Sequence, residues 1–208
     1  MKDALRVFAE AVRDTYDELP VLVTLNVLAL LLVLPLVTAP PAVVALWAVG
    51  NRVARGEAVG AREYWAALRR HFGRAWLVAA LHAAVLLILV SNLGFYHPAS
   101  NPLGLPDQLL PYIQGVFVGL AFVWLLLSQY LGPLLLEQED TRARVLLRNA
   151  AVLLIARPGF AATLLVLILL VALLSTLLTV PWLLITPAFL AVLTNNAVLR
   201  LLAPHREK

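Results

Sequence analysis

The chain has 208 residues, of which 62% are hydrophobic and 13% are charged. Because a soluble domain carries about 25% charged residues, this composition predicts a protein whose solvent is lipid. A sequence pI of about 9.9 often accompanies nucleic-acid binding, but here the basic residues are better explained as the rim of a membrane protein, so no nucleic-acid partner is expected. The sequence has no Cys, which excludes disulfides and thiol ligands, and we expect no metal and no cofactor.

The basic residues fall into four clusters separated by long apolar segments. The clusters lie within residues 2–13, 52–74, 142–157 and 200–208. Positively charged segments stay on the cytoplasmic side when a membrane protein is inserted. The pattern therefore predicts a multi-pass protein in which all four clusters face the cytoplasm.

Two uncharged segments near the middle of the chain are each long enough for one membrane span. A span needs about 20 apolar residues, and residues 75–94 and 109–134 meet this length. Residues 91–111 are rich in Pro, Gly and Asn and contain no Lys or Arg. We therefore expect a central helical hairpin whose loop is external.

A weak internal repeat flanks this central hairpin. Prolines recur at the same spacing in both copies, as Pro35 and Pro41 in the first and Pro181 and Pro187 in the second. Proline suits the first turn of a returning helix, because its missing N–H would have no partner there. Residues 20–56 and 159–203 are therefore predicted to form two further hairpins that are parallel to each other.

The predicted fold is an all-α polytopic membrane protein in a single domain, 1–208, with about six membrane-embedded helices and both termini cytoplasmic. The helix at about 42–56 is expected to be short or tilted. Residues 3–17, 61–73 and 141–156 place apolar side chains on one face at helical spacing, which predicts cytoplasmic amphipathic helices. Each either lies in the headgroup plane against anionic lipid or packs on the protein's own surface.

A recognisable pattern of residues covers the first hairpin and the segment after it. It reads Asn26, Leu34-Pro35, Thr38, Pro41-Ala42, Ala45-Leu46, Arg55-Gly56-Glu57, Tyr64-Trp65, Leu68-Arg69, Phe72 and Ala75. This pattern resembles the YesL-like family of bacterial integral membrane proteins, a group without an assigned molecular function. Gly50-Asn51 departs from that family's pattern, and we expect it to loosen the helix there.

The resemblance implies a location in the bacterial plasma membrane. It also implies an accessory or regulatory role in carbohydrate uptake, with subunits of an ABC-type sugar importer as partners. A small-solute transporter or channel that works as a homo-oligomer is the alternative, and an intramembrane enzyme is a third hypothesis.

Polar residues inside the apolar segments are the first candidates for a functional site, because polar groups are costly in a bilayer. Asn26, His82, Gln129, Asn195 and Asn196 each lie four to eight residues from a charged residue of the cytoplasmic rim. This spacing predicts one polar layer, about 6–12 Å inside the bilayer. The layer is either a cavity open to the cytoplasm, with His82 as its titrating group, or a set of hydrogen bonds that fixes helix packing.

The end of the second helix is the second candidate site. Arg55, Gly56 and Glu57 are typical of a helix stop, with glycine just beyond the last turn and a cation near the carbonyl end. Together with Tyr64 and Trp65 they also suit a docking site for a partner protein.

No enzymatic activity is predicted. The sequence lacks a nucleophile elbow, a zinc-protease helix and a phosphate-binding loop. The acidic residues Glu137, Glu139 and Asp140 are interpreted as solvated charges at a cytoplasmic helix end.

Overall fold

The computed structural model of the chain describes residues 2–140 and 142–206. These residues form α-helices and no β-strand, which confirms the all-α prediction. In chain order the helices are α1 Lys2–Asp17, α2 Leu19–Val33, α3 Ala39–Ala54, α4 Ala61–Arg70, α5 Phe72–Phe95, α6 Leu110–Glu137, α7 Ala143–Ala156, α8 Pro158–Leu178, α9 Val180–Leu184 and α10 Thr186–Arg206. The first residue of the predicted helix 141–156 lies outside the described residues.

Four of the described helices, α5, α6, α8 and α10, are long and apolar enough to cross a membrane. A fifth span results if α1 and α2 count as one broken helix, although they meet at an angle of 90°. Helices of this length and composition indicate a membrane protein. The predicted spans at 75–94 and 109–134 correspond to α5 and α6, and the loop between them contains turns but no helix.

Helices α2 and α3 are each shorter than a full span. They have 15 and 16 residues, or about 22 and 24 Å, whereas the hydrocarbon core of a bilayer measures about 30 Å. The indole N–H of Trp76 donates a hydrogen bond to the carbonyl of Val37, with an N···O distance of 3.2 Å. Since Trp76 lies in the first two turns of α5, the α2–α3 turn lies beside the start of α5 and away from its far end.

Helix α3 lies at the centre of the bundle, in contact with α2, α4, α5, α6 and α10. A Cβ atom at Gly50 would lie 2.7 Å from the carbonyl carbon of Ala191 on α10. A Cβ at Gly132 of α6 would collide with the ring of Trp47. The expectation that Gly50-Asn51 loosens this helix is wrong, because α3 continues to Ala54 and uses Gly50 to approach α10 closely.

The amphipathic helix α1 presents three different faces. Ala4, Val7, Ala11 and Thr15 are buried, and α1 contacts α10 more than any other helix. The apolar face that the sequence predicts for residues 3–17 remains largely exposed, and Tyr16 on this face is 75% exposed to solvent. A helix with a protein-facing side, an exposed apolar side and a charged side fits the interface between bilayer and water.

Helix α4 repeats this division between buried and exposed apolar residues. Tyr64 and Leu68 are buried, while Trp65 and Phe72, just beyond its end, remain exposed. Helix α4 contacts α3, and the Tyr64 hydroxyl donates to the carbonyl of Ala42 at 3.2 Å. The sequence left lipid contact and self-packing as alternatives, and in the structure one face of the helix packs on α3 while another remains exposed.

The close contact at Gly50 gives a first testable prediction. Gly50→Ala should lower the free energy of unfolding by about 1–3 kcal/mol, because α3 and α10 must separate to admit the methyl group. The matched control is Gly159→Ala, since a Cβ there meets no atom within 4 Å. Thermal unfolding in detergent would compare them, and equal melting temperatures for both variants would contradict the close helix approach.

Candidate functional site: an arginine-lined cavity beside a buried carboxylate

A polar network joins three helices at the end of the bundle where α3 and α6 stop. The carboxylate of Glu137, at the end of α6, accepts hydrogen bonds from Arg55 Nη2 at 2.5 Å and from Asn51 Nδ2 at 2.8 Å. Asn51 also donates to Asn195 Oδ1 of α10 at 3.0 Å, and its own Oδ1 accepts from Arg55 Nε at 3.0 Å. The network thus connects α3 to α6 and α10.

The Glu137 side chain is only 4% exposed. A carboxylate taken out of water is strongly destabilising unless a cation and hydrogen-bond donors compensate it. Arg55 supplies the charge and Asn51 supplies a donor, so both requirements are met by α3. The interpretation of Glu137 as a solvated charge is therefore wrong, whereas Glu139 and Asp140 are exposed as expected.

A cavity of about 780 Å³ opens beside this network. Its walls come from the end of α3, from α4, from the start of α5 and from the end of α6. The polar residues that line it are Asn51, Arg52, Arg62, Glu63, Arg70, His71, Arg74, Glu137, Gln138 and Glu139. We call it the arginine-lined cavity, and its size lies within the range of small-molecule sites.

The charges in the arginine-lined cavity fall into a paired and an unpaired set. Arg52 pairs with Glu57 at 3.3 Å, and Glu137 pairs with Arg55. The remaining five charged residues make no ion pair or hydrogen bond within the described part of the chain: Arg62, Arg70, Arg74, Glu63 and Glu139. Both signs of charge are therefore free to interact with a ligand.

His71, between α4 and α5, forms part of the same wall. It is 8% exposed, and its Nδ1 has no hydrogen-bond partner among the described residues. Burial and then the charges of Arg70 and Arg74 lower the pKa of His71. The imidazole is therefore neutral at pH 7, mainly because it is buried, and the two arginines add to this effect.

Asn26, the first residue of the predicted polar layer, satisfies the backbone at the break between α9 and α10. Its Oδ1 accepts from the backbone N–H of Ala188 at 3.1 Å, and its Nδ2 donates to the carbonyls of Trp182 and Leu183 at 3.3 and 2.9 Å. Unpaired backbone groups are costly in lipid. Asn26 therefore allows the chain to turn within the apolar part of the bundle.

The other two candidates from the middle of the apolar segments also bond to backbone. His82 donates from Nδ1 to the carbonyl of Val78 at 3.0 Å, and its ring meets Trp124 edge-on. Gln129 donates to the carbonyl of Ala161 on α8 at 3.2 Å. These contacts fit helix packing, and a functional role for either residue stays a prediction.

The last two candidates lie together on α10 but have different partners. Asn195 belongs to the Glu137 network and also donates to the carbonyl of Trp47 at 3.0 Å, whereas Asn196 donates to Asp14 of α1 at 2.8 Å. Ala188, the partner of Asn26, lies about 10 Å further along α10 than Asn195. Within the described residues no hydrogen bond joins two of the five candidates, and the single polar layer stays a prediction.

The predicted docking residues divide between structural and exposed positions. Arg55 is held by Glu137, and Tyr64 is fully buried. Burial raises the pKa of Tyr64, so its hydroxyl stays protonated and donates to α3. Gly56 has a φ of +70°, a conformation that favours glycine and fits the helix-stop interpretation, and Trp65 remains exposed on α4.

Sequence reasoning missed Asn51, His71 and Glu137 as site residues. Asn51 carried a weak signal, because it is a polar residue inside an apolar helix one turn before Arg55. Glu137 carried no signal in the sequence, because its burial depends on α3 crossing the end of α6. His71 appeared only as part of a basic segment.

These features indicate an α-helical membrane protein with four or five candidate spans and a charged cavity at one end of its bundle. Residues 22–93 match the model of a protein family described as "Protein of unknown function, DUF624". The matched segment contains α3, α4 and most of α5, and therefore one side of the arginine-lined cavity. No curated protein and no solved structure matches the chain.

The Glu137 network gives the second prediction. Arg55→Gln should lower the free energy of unfolding by about 2–4 kcal/mol, because it leaves a buried carboxylate without its cation. The double variant Arg55→Gln/Glu137→Gln should recover much of this loss, since no charge is then buried. Equilibrium unfolding in mixed micelles measures the double-mutant cycle, and strictly additive losses would show that the two side chains are not coupled.

Proposed function

We propose that this chain is a YesL-like protein of the bacterial plasma membrane and an accessory or regulatory component of carbohydrate uptake. The residues that carry the resemblance to the YesL-like family, from Asn26 to Ala75, lie inside the segment that matches the family of unknown function. Subunits of an ABC-type sugar importer are the proposed partners.

One observation carries the accessory role: the unpaired charges around the cavity lie at one end of the bundle. A transporter is expected to place binding groups near the middle of the bilayer. Here the side-chain donors of Asn26, His82 and Gln129 are occupied by backbone carbonyls. This arrangement favours a protein that acts at one membrane face over one that carries a solute across.

We propose a topology with both termini in the cytoplasm. The helices α5, α6, α8 and α10 cross the bilayer, while α2 and α3 enter it from the cytoplasmic side and return as a short hairpin. Six helices are then embedded, and an even number of crossings keeps every basic cluster on the cytoplasmic side. The bond from Trp76 to Val37 supports the short hairpin.

Helices α1 and α4 are proposed to lie in the headgroup plane against anionic lipid. Each has an exposed apolar face next to basic residues, which is typical of interfacial helices. The partner is proposed to dock on the exposed part of this surface, at Gly56, Glu57 and Trp65. Arg55 and Tyr64 are proposed to hold that surface in position, because both make contacts within the bundle.

The alternative is a small-solute transporter or channel built as a homo-oligomer. It is favoured by Gly115 and Gly119, which lie four residues apart on α6 and have no atom within 4 Å of their Cβ positions. Small residues at this spacing allow two membrane helices to approach closely.

Cysteine accessibility tests the topology, because the sequence has no native Cys. In intact cells a membrane-impermeant maleimide should label Ala99→Cys, in the α5–α6 loop, and spare Ala58→Cys, in the α3–α4 turn, until the membrane is permeabilised. Leu36→Cys, in the α2–α3 turn, should resist labelling from outside. Labelling of Leu36→Cys as fast as Ala99→Cys would show that the first hairpin crosses the whole bilayer.

Co-purification tests the accessory role. Tagged protein extracted gently from its native membrane should retain importer permease subunits at fixed stoichiometry, and Trp65→Ala should reduce that yield several-fold, as expected for an exposed aromatic anchor. The matched control is Tyr112→Ala, an exposed aromatic residue at the start of α6, which should retain the subunits. Recovery of a homo-oligomer alone would contradict the accessory role and support the alternative.

A further inference from the structure

The unpaired groups of the arginine-lined cavity are chemically complementary to a specific kind of ligand. Arg62, Arg70 and Arg74 offer guanidinium donors that match phosphate oxygens in geometry and charge. Each is exposed at the cavity and has no ion pair or hydrogen bond within the described residues. A ligand with a phosphate group would supply the missing acceptors.

The acidic residues of the cavity add a second requirement. Glu63 and Glu139 are also without partners among the described residues, and ionised carboxylates only accept hydrogen bonds. They would repel a bare anion, but they accept hydrogen bonds from hydroxyl groups. A lining that mixes free arginines with free carboxylates therefore suits a ligand that carries both phosphate and hydroxyl groups.

Two of the residues that line the cavity carry a polar atom without a protein partner. His71 Nδ1 and Gln138 Oε1 are both shielded from solvent and have no hydrogen-bond partner among the described residues. A buried polar atom without a partner costs about 1–3 kcal/mol, so these two side chains would gain free energy by rotating toward a partner in the cavity. Arg70 and Arg74 lie one and three residues from His71 in the sequence and line the same wall, so two guanidinium charges are next to it.

We propose that the arginine-lined cavity binds a phosphate ester of a polyol. Its volume of about 780 Å³ accommodates either of the two sources of this chemistry, the headgroup of an anionic phospholipid or a soluble sugar phosphate. Trp65 and Phe72, which are exposed nearby, place the cavity at the level where a lipid headgroup would lie. The site goes beyond the accessory role and does not depend on it, because binding is a property of the purified chain.

Binding to the full chain in nanodiscs tests the site. In phosphatidylcholine nanodiscs, titration calorimetry would compare glucose 6-phosphate, glucose and inorganic phosphate. In nanodiscs that also contain phosphatidylglycerol, native mass spectrometry would count the retained anionic lipid. Saturable glucose 6-phosphate binding, at least about tenfold tighter than inorganic phosphate, identifies a soluble ligand, and selective retention of phosphatidylglycerol identifies a headgroup.

Substitutions distinguish specific binding in the cavity from general attraction to basic residues. Arg70→Gln/Arg74→Gln should weaken binding at least about tenfold. The matched control is Arg144→Gln/Arg148→Gln, which removes two exposed arginines at the same spacing from α7, and it should leave binding unchanged. Ala66→Trp keeps every charge but fills the cavity, and it should abolish binding. Equal losses in both double variants, or no binding of either probe to the wild type, would overturn the proposal.

Discussion

The buried carboxylate of Glu137 is the constraint on which the arrangement of this bundle depends. A charge that is 4% exposed requires a cation and hydrogen-bond donors at fixed positions, and α3 supplies them from Arg55 and Asn51. Because Asn51 also bonds to Asn195, the same contact fixes α10. The requirement of one side chain thus sets the relative positions of three helices that are far apart in sequence.

The close packing of α3 follows from this requirement. Gly50 allows α10 to approach within backbone contact, and Gly132 gives room to the ring of Trp47. These approaches bring the polar ends of α3 and α6 close enough for hydrogen bonds of 2.5 and 2.8 Å. They also set the walls of the arginine-lined cavity, since α4 packs on the outer side of α3. The small residues within the bundle and the charged residues at its end therefore stabilise the same arrangement of helices.

The membrane explains why polar groups are used so differently along the chain. In the apolar part of the bundle, Asn26 satisfies three backbone groups at the break between α9 and α10, where water is not available. At the cavity, the exposed side chains of Arg62, Arg70 and Arg74 make no ion pair with the described residues, because water can solvate them. The amphipathic helices α1 and α4 expose apolar residues on one side and charges on another.

The sequence by itself determined the helical class, the long apolar helices α5, α6, α8 and α10, and the amphipathic character of α1 and α4. Each of these depends on composition and on periodicity within a single segment, which are local properties. The sequence also identified Asn26 and Asn195 as unusual polar residues, although it placed them in one layer. Their real partners depend on helix crossings that no local pattern encodes.

Only the tertiary structure decided the pairing of Arg55 with Glu137, the burial of Tyr64 and the cavity beside His71. Arg55 looked like a helix-terminal cation and Glu137 like a solvated acid, and each description was reasonable for its own segment. Their meeting requires α3 to cross the end of α6, which glycines on two helices make sterically possible. Burial, charge pairing and cavity shape arise from contacts between distant segments, and for that physical reason they could not be derived from the sequence.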